Sequence, residues 1–159
     1  IDIGISPVIA ASLLSILAGS QLAGRLLSGF ISDRIGTRLM LSICLFMVLL
    51  GLIWLQFALE AWMLLLFTVL FGIAASGIFP MQIVITAELF GLRFLGAILA
   101  TLVFIGTIGN ALGPAIGGTI FDLTGSYRIA FLITAILCAV AFLLSLILLR
   151  SKGKPSITE

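Results

Sequence analysis

The sequence predicts an all-α, polytopic membrane protein with five transmembrane helices. Three observations predict it. Hydrophobic residues make up 62% of the 159 and charged residues only 9%, against about 25% charged in soluble domains. Apolar runs of roughly 20 residues or more, the length needed to cross a hydrocarbon core about 30 Å thick, recur along the chain. Short polar connections carrying most of the charges separate these runs. Helices are the only open-chain solution in lipid, because every backbone N–H and C=O must be bonded internally. The whole of 1–159 reads as one partial transmembrane domain, with no soluble domain in it.

The first span covers about 6–31 and holds Arg25, a charge inside an apolar run. The second covers about 39–59. The third, about 62–87, contains Pro80 shortly after Gly77, which is expected to kink it. The fourth, about 94–121, carries Gly109, Gly113 and Gly117 at four-residue spacing, interrupted by Pro114 and Gly118. Small residues so spaced let helix backbones approach closely, so packing and bending are their expected role. The fifth span covers about 129–149, and a polar tail occupies 150–159.

Loop charges orient these spans. Arg34, Arg38, Arg93, Arg150, Lys152 and Lys154 fall on one side, and Arg128 alone on the other. The first side is expected to be cytoplasmic, tail included, in a multi-pass protein of the cell (plasma or inner) membrane. Trp54, Trp62 and Tyr127 then gather at the outer interface, as an aromatic belt does. An odd number of spans that starts outside, with Ile1 as first residue and no signal-peptide pattern, leads us to expect partner helices of the same chain upstream.

Composition also excludes. There is no histidine, the commonest metal ligand and general base. Cys44 and Cys138 each lie in an apolar run and read as small packing residues, so neither a metal site nor a cofactor is expected. A net charge of +2 without basic–aromatic clusters gives no reason to expect nucleic acid as a partner. The lipid bilayer is the partner this composition requires.

The stretch GFISDRIGTR, 29–38, crowds charge at the first connection. Gly36 permits a tight turn between antiparallel helices. Asp33, at a helix end, is placed to accept amide hydrogen bonds or to face the amino end of a neighbouring helix. Arg34 and Arg38 are expected to pair with Glu88, in the loop ELFGLR that ends at Arg93 on the same side. Pairs of this kind, broken and remade, would latch one conformation. Their plainer role is to set topology and solvate the loop.

Arg25 lies about 12 Å along a helix axis from Asp33, hence close to mid-membrane. An arginine there costs at least about 2.5–3.5 kcal/mol. Snorkelling to the cytoplasmic headgroups is one reading. Side chains tilt toward a helix's amino end, here the outer one, which works against it. The favoured reading is a polar cavity, with Gln21, Arg25, Ser28 and Ser32 on one wet stripe. A planar guanidinium suits a carboxylate held through two parallel hydrogen bonds. Gln82 and Asn110 are further cavity candidates, equally able to form interhelical hydrogen bonds of about 0.6 kcal/mol.

GFISDRIGTR resembles the signature of the major facilitator superfamily in Gly29, the pair Asp33–Arg34, Gly36 and Arg38. It departs at Thr37, usually basic in that pattern, which weakens the local salt-bridge network. ELFGLR (88–93) and GPAIGGTIFDLTGSY (113–127) are similar to the loop after the tenth helix and the end of the eleventh. The resemblance covers almost the whole chain and implies helices eight to twelve, most of the carboxyl-terminal half. It also implies alternating access by two rocking halves around a central substrate. The helix that Asp33 would face is then the fifth, absent from this sequence. Arg25 followed by LLSG resembles the substrate-anchoring arginine of the monocarboxylate and oxalate–formate branch. SPVIAASLLSILAGSQLAGR and FDLTGSYRIAF point to the same branch. GPAIGG resembles the antiporter motif, but its first glycine falls at Ala100.

The resemblance thus implies a secondary active transporter for a small organic anion, a monocarboxylate above others. No Lys or Arg lies between Phe94 and Phe121, where oxalate–formate exchangers have a second cation, so one carboxylate is expected. No acidic residue lies deep in a span. If protons are a coupling partner, their carboxylate belongs to the upstream helices, and symport against antiport stays open. The alternatives are an antiporter of another small solute or drug, a polytopic membrane enzyme, and a non-transporting scaffold. No paired carboxylates or nucleophile–base set support an enzyme, and no pore-lining charges support a channel.

Overall fold

A computed structural model of the chain describes residues 7–57 and 61–150. Its elements are helices: α1 (Pro7–Ile35), α2 (Thr37–Leu55), α3 (Ala61–Phe90), α4 (Leu95–Thr124) and α5 (Arg128–Arg150). All five are long and apolar enough to cross a membrane. Most of the polar tail lies outside the described residues.

Three glycines make the turns possible. Gly36 is the sole residue between α1 and α2 and has φ 91°. That conformation is essentially closed to residues with a Cβ. Its N–H donates to the Ser32 carbonyl at 2.9 Å, and its own carbonyl accepts from Met40 N–H at 3.1 Å. Hydrogen bonding therefore runs almost unbroken across the turn, and α1 continues through Ser32–Ile35, beyond the point where hydropathy falls. Gly91 (φ 73°) and Gly125 (φ 67°) close α3 and α4, donating to Ala87 and Phe121 carbonyls at 3.0 and 2.7 Å. Pro80 and Pro114 stand inside α3 and α4, which stay helical through them.

The helices pack as a row, α1 on α3, α3 on α2 and α2 on α5, with α1 also touching α2. Helix α4 touches only α3 and α5 and has no buried residue among those described. Between α2 and α3, Met40, Leu41, Cys44, Met81 and Ile85 form a buried cluster that Leu148 of α5 also meets. Between α2 and α5, Ser145 Oγ donates to Ser42 Oγ at 3.0 Å in a buried setting, and the Phe46 and Phe142 rings lie 5.4 Å apart. Cys44 and Cys138 are both free thiols.

The α1–α3 seam is built from small residues. Ser20, Gly24 and Ser28, four residues apart, meet Gly72, the Ile73–Ser76 turn and Gly77. Ser28 is only 2% exposed and Ser32 7%. The wet stripe expected through Gln21, Arg25, Ser28 and Ser32 is thereby corrected. Both serines are buried rather than wet, Ser28 lies against Gly77 of α3, and it satisfies its hydroxyl on the Arg25 carbonyl at 3.1 Å. A buried serine bonded to its own helix needs no solvent.

Candidate functional site

Arg25 is set by α1. It lies about 27 Å along the axis from Pro7 and about 15 Å from Ile35 at 1.5 Å per residue. It is also well inside the apolar stretch Ser12–Ile35. Gly24, its neighbour, rests against the α3 backbone, and one residue is a rotation of about 100°. Arg25 therefore emerges on the flank of the seam. It is exposed, and among the described residues its guanidinium has no hydrogen-bond or ion-pair partner.

Gln21, one turn before Arg25, is half-buried. Gln82 is exposed on α3, where its backbone carbonyl accepts from Thr86 Oγ1 at 2.7 Å. Asn110 is exposed near the middle of α4. Among the described residues α1 and α4 do not touch, so Asn110 and Arg25 are not brought together here.

Charges cluster where the α1–α2 and α3–α4 turns meet. Arg38 Nε lies 3.6 Å from Glu88 Oε2, the two side chains being 18% and 44% exposed. Arg34, expected to share Glu88, instead places its guanidinium 4.4 Å from the Phe30 ring centre. Arg93 lies 5.3 Å from the Phe94 ring centre. Such cation–π contacts hold a charge at an apolar border. Asp33 is exposed and pairs with nothing among the described residues.

The other end holds a second clip. Gln56 Nε2 donates to the Arg128 carbonyl at 3.4 Å, and the Arg128 guanidinium donates to the Gln56 carbonyl at 3.5 Å. A groove of about 490 Å³ opens beside it between α2 and α5, walled mostly by apolar side chains. It holds none of the candidate residues from the sequence. Tyr127 stacks on Phe121 with ring centres 4.5 Å apart.

The glycines divide sharply. A Cβ added to Gly29, Gly109, Gly113, Gly117 or Gly118 meets nothing within 4 Å among the described residues. One added to Gly24, Gly72 or Gly77 meets the facing helix under 3.0 Å. Sequence reasoning singled out the first group and missed the second. The signal was present, since Ser20, Gly24, Ser28 and Ser32 recur every four residues in α1.

The sequence model of the Major Facilitator Superfamily matches residues 1–159. The chain is 34% identical over 153 residues to monocarboxylate transporter 12 of Rattus norvegicus, covering 94% of this chain and 31% of that protein. It is 30% identical over 146 residues to monocarboxylate transporter 13 of Rattus norvegicus, covering 91% and 33%. It is 29% identical over 143 residues to the uncharacterized MFS-type transporter YcxA of Bacillus subtilis (strain 168), covering 86% and 35%. The chain spans about a third of the length of the curated relatives it matches.

Proposed function

The chain belongs to the major facilitator superfamily, and on that premise we propose that it is part of a secondary active transporter. Its substrate is a small organic anion, a monocarboxylate, moved by alternating access. The observation that carries this reading is Arg25, a cation well inside the apolar stretch of α1, about 15 Å from its Ile35 end, with no protein partner among the described residues. A charge left alone at that depth is costly, and a substrate carboxylate with its water relieves the cost. The names of two relatives, monocarboxylate transporters 12 and 13, support the same substrate class.

In this reading Arg25 grips one carboxylate through two parallel hydrogen bonds. Gln21, Gln82 and Asn110 line the cavity around it. Asp33, Arg34, Arg38, Glu88 and Arg93 bias the inward- and outward-facing states at the cytoplasmic end. The open glycines of α4 pack against helices outside this sequence. Among the described residues Asp33, Glu88 and Asp122 all sit near helix ends, so if transport is coupled to protons, the titrating carboxylate belongs to those other helices too.

Uptake by the full-length protein in proteoliposomes tests the proposal. Radiolabelled L-lactate should enter under an inward proton gradient or exchange against internal lactate, and unlabelled short monocarboxylates should compete. Competition by neutral or cationic solutes, with none by monocarboxylates, would overturn it.

A further inference from the structure

Arg25 is exposed and its side chain is held by no partner among the described residues. Its place therefore depends on the backbone beneath it. That backbone is fixed on both sides. A Cβ built on Gly24 would lie 2.5 Å from the Ile73 carbonyl oxygen and 2.6 Å from Ile73 Cα. Both are backbone atoms, which no rotamer change can move aside. On the other side, Ser28 holds the Arg25 carbonyl at 3.1 Å. Ser28 is itself buried, its Cβ 2.8 Å from where a Cβ of Gly77 would stand. A Cβ added to Gly19 or Gly29, also in α1, meets nothing within 4 Å among the described residues. Close approach is therefore particular to Gly24 and not a general property of the glycines of α1.

We infer that Gly24, backed by the Ser28–Gly77 contact, is a positioning residue that sets the height and rotation of Arg25. The inference rests on Arg25 being the substrate anchor. Alanine at position 24 has to push α1 off α3 by on the order of 1 Å to restore ordinary contact. A two-point grip on a carboxylate is sensitive to such a shift, and about 1 Å of misplacement costs up to roughly 100-fold. A merely structural glycine would lower stability without acting through Arg25.

The experiment uses the purified full-length protein and two readouts. The first is the distance between nitroxide labels at Arg25→Cys and Phe79→Cys, in a background with Cys44 and Cys138 replaced by Ala. Gly24→Ala should shift that distance, and Gly19→Ala should not. Gly77→Ala should shift it as well, and adding Ser28→Gly should restore it. This pair carries the test if Gly24→Ala does not fold. An unchanged distance in folded Gly24→Ala, or no restoration by Ser28→Gly, overturns the inference. The second readout is equilibrium binding of radiolabelled L-lactate. Gly24→Ala should weaken it at least tenfold with Arg25 present, and no further when Arg25 is already Ala. Additive losses overturn the inference. If the distance shifts while Arg25→Ala binds lactate like wild type, the anchor reading fails and the control of position 25 stands.

Discussion

Arg38 and Glu88 join the start of α2 to the last turn of α3 through an ion pair of 3.6 Å. The pair bridges two connections that are far apart in sequence and close at one end of the bundle. Glu88 is 44% exposed, and pairs this open contribute about 0.2–1 kcal/mol each. That is too little to hold a fold together and enough to shift a balance between two nearly equal states by several-fold.

Glu88→Gln should accordingly leave the thermal midpoint of the full-length protein almost unchanged while altering the ratio of exchange to net uptake. Arg38→Gln should behave alike, and the double variant should add little to either single one. Additive changes, or unchanged rates in both, would reduce the pair to loop solvation.

The turn at Gly36 makes a sharper stability prediction. With φ 91° at that residue, Gly36→Ala meets a backbone penalty of about 1–3 kcal/mol. It should lower the thermal midpoint by several degrees. An equal midpoint for Gly36→Ala and wild type would show that the turn relaxes freely.

Ser145 tests the α2–α5 seam. Its hydroxyl is bonded to Ser42 and to the Phe142 carbonyl, at 3.0 and 2.7 Å. Ser145→Ala removes one interhelical bond, worth about 0.6 kcal/mol on average in membranes. Ser145→Leu should cost more, because a larger side chain must enter a closed seam. Equal stability of the leucine variant would mean that the seam opens readily.

Helix number and class were legible because lipid leaves a chain few choices. Long apolar runs have no alternative to helices there. The turns were half-legible. SDRIGTR reads as a polar loop, yet all but one of its residues are helical, since Gly36 alone reverses the chain. A one-residue turn is invisible to hydropathy. The small-residue seam escaped for a different reason. Ser28 and Ser32 look polar beside Arg25, and the choice between water and helix depends on which face α3 covers, a tertiary fact. The α4 glycines pulled the other way. Their spacing is conspicuous, but among the described residues they face open space. Partners outside this sequence would account for that, just as they would for Asp33, which pairs with nothing among the described residues.

Orientation follows from charge and has its own check. The Arg38–Glu88 end should face the cytoplasm. In full-length protein in right-side-out cells or vesicles, a cysteine at Thr37 should react with an impermeant thiol reagent only from inside. One at Ser126 should react from outside. The reverse pattern would invert the proposed topology.

The central claim is that Arg25 binds the substrate carboxylate in a wet cavity. It is tested most directly by equilibrium binding of a radiolabelled monocarboxylate to purified, folded full-length wild type, Arg25→Lys and Arg25→Ala. A lysine cannot reproduce the planar two-point grip, so Arg25→Lys should fail almost as badly as Arg25→Ala. The loss should be about 2–5 kcal/mol, tens- to thousands-fold in affinity. A snorkelling arginine predicts the opposite, because lysine reaches the headgroups equally well. If Arg25→Lys binds like wild type, Arg25 is not the anchor.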